Sequence, residues 1–208
     1  MKIKELILGL LTCILQTSNA TEPTTLPRVL IIGDSISIGY TKPLTEMLEG
    51  RAIVVHNTGN AQHSAHGLKN LEKWLGDGKW DVIHFNWGLH DLKFMPHGKR
   101  QVTLAAYEKN LDSLVRRLKQ TGAKLIWRNT TPVPEAKVRP QRIPADVVSY
   151  NAAAKRVMQK HRVPIHDLYS FALARLERIQ LPANVHFTPV GSTALADEVA
   201  KEILDALK

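Results

Sequence analysis

Cysteine is almost absent from this chain of 208 residues, since Cys13 is the only one. One cysteine forms no disulfide within a chain, and the residues after it hold no thiol nucleophile and no cysteine metal ligand. Long apolar runs are lacking too. The most apolar stretch, residues 6–15, is much shorter than the ~20 residues that a membrane-spanning helix needs. These absences disfavour a disulfide scaffold, a cysteine hydrolase and a helical membrane protein.

The first 20 residues have the pattern of an export signal. Lys2 and Lys4 precede the apolar stretch, and Ser-Asn-Ala at 18–20 supplies a small-x-small ending. We therefore expect a signal peptide over residues 1–20 that is cleaved after Ala20, a flexible lead-in over 21–27, and a secreted or periplasmic product. A buried N-terminal helix and a retained anchor are the alternatives. Lipidation of Cys13 is disfavoured, because apolar residues continue beyond it.

The net charge of +9 restricts the classes of partner. Basic residues are spread along the chain without a long lysine or arginine block, and no nucleic-acid motif accompanies them, so we expect no nucleic-acid partner. A solvated basic surface is the favoured interpretation. Electrostatic attraction of an acidic substrate, such as an anionic polysaccharide, is the alternative.

Short apolar runs alternate with helical patterns along the rest of the chain. Near-continuous apolar runs suit strands that are buried on both faces of a parallel sheet. They occur at residues 29–32, 52–55, 82–85, 124–127 and 163–166. Apolar residues at three- and four-residue spacing predict helices over 104–119, 144–160 and 189–207. The alternation predicts one doubly wound α/β domain over residues 28–208, with a five-stranded parallel sheet.

Polar side chains cluster where these predicted strands end, which is where such sheets bind ligands. Ser35 directly follows the first strand, at a predicted strand-to-helix turn. A serine hydroxyl needs a base to become a good nucleophile. His186 lies in a loop just before the last helix, from which an imidazole can reach the same rim. Capping of the following helix is the alternative role for Ser35.

Acyl transfer also requires hydrogen-bond donors for the oxyanion that develops on the carbonyl oxygen. The backbone N–H of Ser35 would lie at a helix N-terminus, where partial positive charge accumulates. The backbone N–H of Gly59 and the side chain of His90 follow two other predicted strands. We expect these three groups to form the oxyanion hole.

The motifs together resemble the SGNH (GDSL-type) hydrolases. Gly-Asp-Ser-Ile-Ser at 33–37 is similar to their first block, Gly59 to the second-block glycine, Gly-Leu-His-Asp at 88–91 to the third block, and Val-His-Phe-Thr-Pro at 185–189 to the block with the catalytic histidine. The resemblance covers about residues 28–205. It implies a three-layer, flavodoxin-like fold and hydrolysis of carboxylic esters through an acyl-serine, with no cofactor and no metal.

Two positions depart from the family pattern. His90 stands where the family has an asparagine in the oxyanion hole, and its protonation state is left open. Ala183 stands where the family has the aspartate of its Asp-x-x-His motif. A backbone carbonyl, Asn184 or a residue from elsewhere in the chain would then have to orient His186, and loss of activity is the alternative.

Other residues carry weaker expectations. Trp87, Asp91 and Asn129 follow predicted strands and are candidates for substrate binding. His63 and His66 are three residues apart, but no third ligand stands at a clear spacing, so no metal site is expected. The proline-rich segment over residues 129–144 is interpreted as an active-site loop.

The sequence thus predicts a secreted serine esterase that releases short acyl groups, acetyl above all, from a small-molecule or polysaccharide ester. A lipase, lysophospholipase or thioesterase of the same fold is one alternative. A carbohydrate-binding pseudoenzyme is another, and a binder of anionic polymers is a third. We expect no membrane association once the signal peptide is removed, and the sequence predicts no particular oligomeric state.

Overall fold

A parallel sheet organises the chain. The computed structural model describes residues 25–208, so the predicted signal peptide, its cleavage site and most of the lead-in lie outside the described residues. The elements run in the order β1 (Arg28–Ile32), α1 (Ser35–Met47), β2 (Ile53–His56), α2 (Ser64–Leu75), β3 (Val82–Phe85), α3 (Leu104–Lys119), β4 (Lys124–Arg128), α4 (Pro144–His161), β5 (Ile165–His166), α5 (Leu168–Leu173), α6 (Leu176–Ile179) and α7 (Pro189–Leu207).

The strands pair in the order β2-β1-β3-β4-β5, and every pairing is parallel. This confirms the predicted fold, since the order is that of a flavodoxin-like doubly wound sheet. The chain leaves β1 for β2 at one edge and returns to β3 on the other side of β1. The loops after β1 and β3 therefore diverge at a switch point and leave a crevice between them, which is where a ligand site is expected.

Helices cover both faces of the sheet. Helix α1 contacts α7 on one face, whereas α3 contacts both α2 and α4 on the other. The helical spacing of the sequence explains the packing: Tyr107, Leu111, Leu114 and Leu118 form one stripe of α3, and all are fully buried. Burial of each such side chain contributes about 1.5–3 kcal/mol. In the part of the chain that the structure describes, no helix is long and apolar enough to cross a membrane.

The five predicted strands and the three predicted helices agree with the observed elements within two residues at their ends. For α1, α2, α5 and α6 the spacing of apolar residues predicted no bounds. The segment between Arg128 and Pro144 contains no helix or strand, as predicted for a loop. It is fixed by specific contacts: Arg142 Nε donates to the carbonyl of Leu89 at 2.8 Å, and the side chain of Gln180 donates to the carbonyl of Pro132 at 2.9 Å.

Candidate functional site

The turn after β1 places Ser35 at the start of helix α1. Asp34 is the N-cap residue, and its carboxylate accepts the N–H of Ile36 at 3.0 Å. The N–H of Ser35 has no acceptor within the helix, because the first turn of a helix lacks partners for its donors. Gly33 makes the turn this tight, since a Cβ at this position would lie 2.5 Å from Oγ of Ser37.

The loop between α6 and α7 carries His186. Val185 and Phe187 are buried on either side of it, whereas His186 itself is exposed, as alternation along an extended segment requires. The end of α6, where this loop begins, packs tightly against the start of α7, because a Cβ on Gly191 would overlap the carbonyl oxygen of Ile179. The loop that holds the imidazole is therefore anchored on both sides.

Ser35 and His186 are in direct contact across 151 positions of sequence. Oγ of Ser35 lies 2.8 Å from Nε2 of His186. On the other side of the ring, Oδ1 of Asn184 lies 2.7 Å from Nδ1 of His186 and accepts the backbone N–H of His186 at 3.0 Å. A backbone N–H only donates, so the Asn184 atom is the amide oxygen and Nδ1 carries the hydrogen. Nε2 is then the acceptor that faces the serine hydroxyl.

This geometry answers one question that the sequence left open. Ala183 is exposed, and among the described residues no carboxylate makes a hydrogen bond with His186. The side chain of Asn184, two residues before the histidine, makes the contact with Nδ1 that the family aspartate would make from three residues before it. The signal that could have identified it is the Asn-x-His spacing, because an asparagine side chain commonly bonds the backbone N–H two residues ahead.

His90 lies beside this pair and is half-buried. Burial lowers the pKa of its imidazole to about 4, with the charges of Lys93 and Arg142 acting in the same direction and that of Asp34 against it. The ring is therefore neutral at neutral pH and has one N–H to donate. A neutral His90 also places no like charge next to His186.

Gly59 is exposed at φ +71°, and it does not line the cleft that contains Ser35. Its carbonyl oxygen accepts a hydrogen bond from the side chain of Asn57 at 3.0 Å. The next residue, Asn60, does line the cleft, and its Oδ1 accepts the N–H of Gln62 at 2.7 Å. Sequence reasoning did not single out Asn60, and the role of Gly59 in the oxyanion hole stays a prediction.

Trp87 and Asp91 do not line the cleft, which corrects their prediction as substrate-binding residues. Trp87 is 1% exposed, and its indole N–H donates to the carbonyl of Ala61 at 3.3 Å. Asp91 is fully buried and accepts hydrogen bonds from the backbone N–H and the hydroxyl of Ser64. Both side chains turn inward and brace the loop that carries His90.

Asn129 is partly exposed but does not line the Ser35 cleft, so its role in substrate binding stays a prediction. Its amide donates to Asp167 at 2.6 Å and its oxygen accepts the N–H of Tyr169 at 2.7 Å. These bonds hold the start of α5 against the end of β4. Asn129 borders a separate depression of about 320 Å³.

The cleft itself has a volume of about 290 Å³. Ser35, His90, Asn184 and His186 line it together with three cationic side chains, those of Lys93, Arg139 and Arg142. A larger groove of about 840 Å³ shares the cationic wall and continues along the segment before α4. Within residues 25–208, no three His, Cys, Asp or Glu side chains are grouped so as to hold a metal ion.

The model of the GDSL-like lipase/acylhydrolase family matches residues 31–194, which contain Ser35, His90 and His186. The chain belongs to this family. It is therefore a carboxylic ester hydrolase, as the resemblance implied. A search of curated proteins found no sequence that matches this chain.

Solved structures share the fold. A lipase/acylhydrolase from Enterococcus faecalis is 22% identical, with a TM-score of 0.74, over 86% of this chain and 95% of its own. The acetylxylan esterase Axe2 from Geobacillus stearothermophilus is 20% identical, with a TM-score of 0.71, over 85% and 94%. The psychrotrophic esterase EstA from Pseudoalteromonas, inhibited by monoethylphosphonate, is 14% identical, with a TM-score of 0.69, over 86% and 98%.

Proposed function

We propose that this hydrolase is an exported serine esterase that releases short acyl groups, acetyl above all, from carbohydrate, with Ser35 as nucleophile and His186 as base. The observation that carries the proposal is the chain of contacts from Ser35 Oγ through the His186 ring to Asn184. A hydroxyl that faces the lone pair of a neutral, oriented imidazole is the arrangement that activates a serine.

The reaction follows from these positions. Oγ of Ser35 attacks the ester carbonyl carbon as Nε2 of His186 takes its proton, and the carbonyl π electrons move onto the oxygen. The N–H groups of Ser35 and His90 donate to this oxyanion, with the Gly59 amide as the third predicted donor. When the intermediate collapses, the alcohol oxygen leaves with the proton from His186, and Ser35 keeps the acyl group.

Water completes the cycle. His186, neutral again, takes a proton from a water molecule as that water attacks the acyl-serine, and then returns a proton to Oγ of Ser35 as the carboxylic acid leaves. Asn184 keeps the ring oriented through both halves. It carries no charge, so it stabilises the imidazolium less than an aspartate would, and we expect a lower kcat than with a full triad.

Several observations support carbohydrate as the alcohol. The cleft is open to solvent and is lined largely by polar and charged side chains. Acetylxylan esterase activity is named for Axe2, whose fold is similar. Export of this chain would place the enzyme where polysaccharides are accessible. The proposal of export rests on the sequence of residues 1–20 alone.

One observation favours a second candidate, a lipase or thioesterase of the same fold. The larger groove also carries apolar side chains, including Phe94, Met95 and Ile143. An acyl chain longer than acetyl would find apolar contacts there. The length of the preferred acyl group therefore separates the two candidates.

The test is hydrolysis of p-nitrophenyl esters from acetate to palmitate by the wild type, Ser35→Ala and His186→Ala. We expect the rate to be highest on acetate and to be lost in both variants. Ser149→Ala and His97→Ala are matched controls, because both residues are exposed and lie outside the cleft. A maximum at long chains would favour the lipase. Equal rates for the wild type and Ser35→Ala on every ester would contradict the esterase proposal and leave a carbohydrate-binding protein.

Export has its own test. Expression in a Gram-negative host should release a product whose N-terminal residue, read by mass spectrometry, is Thr21. A product that stays in the cytoplasm with Met1 in place would contradict the proposed signal peptide and would leave the proposed chemistry untouched.

A further inference from the structure

Positive charge is concentrated on the walls of the Ser35 cleft and the adjoining groove. Lys93, Arg139 and Arg142 line both, and Lys137 lines the groove. Glu135 is the single acidic residue among the side chains that line either one within residues 25–208. A concave surface with one sign of charge raises the local concentration of oppositely charged substrate.

These cations are not neutralised by the protein itself. Within the described part of the chain, no ion pair or hydrogen bond connects the side chains of Lys93, Lys137 or Arg139 to a carboxylate. Several other arginines of the described residues are paired with carboxylates: Arg100 with Asp146 at 2.6 Å, Arg117 with Glu72 at 2.6 Å and Arg156 with Glu108 at 2.7 Å. The charge at the cleft is therefore available to a ligand.

Arg142 is the fixed member of this group. It is 8% exposed, its Nε donates to the carbonyl of Leu89 at 2.8 Å, and its Nη1 donates to the carbonyl of Pro140 at 3.2 Å. Its Nη2 has no protein partner among residues 25–208 and belongs to a side chain of the cleft wall. A guanidinium that is already held in place loses little freedom when it binds an anion.

The neighbouring amine is also poised for an anion. Burial lowers the pKa of the Lys93 ammonium, and the positive charge of Arg142 lowers it further. A negatively charged ligand between the two would relieve this repulsion. Such a ligand would lie along the wall of the cleft that contains Ser35 Oγ, so the charge belongs on the same molecule as the ester.

We infer that the natural substrate is an acylated saccharide that carries carboxylates near the ester, as in chains of uronic acid units. The inference rests on the proposed function and specifies the alcohol portion of its substrate. A planar carboxylate matches the fork of N–H donors on arginine. The exposed Lys137 and Arg139 extend the positive surface away from Ser35, as a polymer with repeated carboxylates requires.

The test measures acetate release from acetylated polygalacturonate and from the same polymer after its carboxylates have been methyl-esterified. We expect kcat/KM to be at least tenfold higher on the charged polymer. Raising the salt concentration from about 0.01 to about 0.3 M should reduce this preference, because screening shortens the reach of exposed charges. Acetylated dextran sulfate shows whether sulfate replaces carboxylate. A preference for the sulfated polymer would overturn the assignment to uronates.

Variants that remove positive charge test whether the preference for the charged polymer arises from the side chains that line the cleft and the groove. Lys137→Gln and Arg139→Gln should each lower kcat/KM on the charged polymer by about two- to fivefold. Lys79→Gln and Arg51→Gln are matched controls, because these exposed residues precede β3 and β2 and therefore lie at the opposite edge of the sheet. Unchanged kinetics in both Lys137→Gln and Arg139→Gln would overturn the inference.

The result also separates this inference from the esterase proposal. If p-nitrophenyl acetate is cleaved in a Ser35-dependent way but both polymers react equally, the esterase stands and the anionic substrate is wrong. If neither p-nitrophenyl acetate nor any polymer is cleaved faster than by Ser35→Ala, both are wrong. If Ser35-dependent cleavage is found on the charged polymer and not on the methyl-esterified one, the esterase proposal and the anionic substrate are both supported.

Discussion

Oδ1 of Asn184 lies 2.7 Å from Nδ1 of His186 and also accepts the backbone N–H of the same residue. This double contact fixes both the orientation and the tautomer of the imidazole without a carboxylate. In this ester hydrolase the uncharged side chain of Asn184 contacts the histidine from two residues before it, whereas Ala183 stands three residues before it, where the family has its aspartate.

Replacing Asn184 should affect turnover more than binding. We expect Asn184→Ala to lower kcat by about 100-fold with little change in KM, because a misoriented imidazole no longer faces Oγ of Ser35. Asn184→Asp should restore the acceptor and add a charge that stabilises the protonated ring. The acidic limb of its pH–rate profile should therefore move to higher pH. Steady-state kinetics across pH, with the melting temperature of each variant, make the measurement.

A purely structural role for Asn184 would produce a different pattern. Asn184→Ala would then lower the melting temperature and leave kcat of the folded enzyme unchanged. Asn184→Asp would leave the pH–rate profile where it is in the wild type. Either result would contradict the assignment of Asn184 as the residue that positions His186.

His90 should contribute through a neutral ring. His90→Ala should lower kcat by about 100- to 1,000-fold, the usual cost of losing one oxyanion donor. His90→Asn should retain more activity, because the amide supplies an N–H from a similar place. Since burial lowers the pKa of His90 to about 4, its protonation should not affect the rate between about pH 5 and 8. If the ratio of the wild-type rate to the His90→Ala rate fell with a midpoint near neutral pH, the neutral state of His90 would be contradicted.

Asp91 should make stability depend on pH. Burial raises the pKa of its carboxyl to about 7, so the folded protein holds this proton more tightly than the unfolded chain does. Its contribution to the free energy of unfolding is therefore fully present below about pH 4 and is lost as the pH rises through about 7. Urea unfolding of Asp91→Asn and the wild type across this range should show the wild type losing more stability with rising pH.

The matched control for Asp91 is Asp77→Asn, since Asp77 is exposed. It should follow the pH dependence of the wild type. A difference between Asp91→Asn and the wild type that stays constant from about pH 4 to about pH 8 would show that the carboxyl does not change its protonation in this range.

Gly191 should be intolerant of any side chain. Its Cβ would overlap the carbonyl oxygen of Ile179, so Gly191→Ala should cost about 1–3 kcal/mol of unfolding free energy and displace the loop that holds His186. Gly39→Ala is the control, because its Cβ would approach only Oγ of Ser192, at 3.4 Å. Equal stability of the two variants in urea would contradict the tight packing of α6 against α7, which bound the loop.

The sequence predicts the sheet well because its central strands β1, β3 and β4 are largely buried on both faces and therefore consist of apolar runs. It also predicts which loops reach the switch point, since Ser35 and His90 follow strands that end there. It does not predict which side chains of those loops point outward. Trp87 and Asp91 flank the outward His90 on the same loop, yet both turn into the core, because their partners, Ala61 and Ser64, come from a separate segment.

Asn184 was harder to predict for a related reason. A search at the family spacing finds Ala183, and only the fold of the loop shows that the side chain two residues before His186 bends back to its ring. The cationic wall is likewise a tertiary feature. Lys93 and Arg142 are far apart in sequence, and their charges meet only because Arg142 bonds to the carbonyl of Leu89 beside His90.

Labelling with a fluorophosphonate, followed by mass spectrometry of the peptides, tests the central claim most directly. The reagent forms a stable adduct with a serine that an adjacent base activates. The account predicts one adduct on Ser35, its absence in Ser35→Ala and much slower labelling in His186→Ala, with Ser149→Ala labelled like the wild type. No adduct on the folded wild type, or an adduct on a serine other than Ser35, would contradict the account.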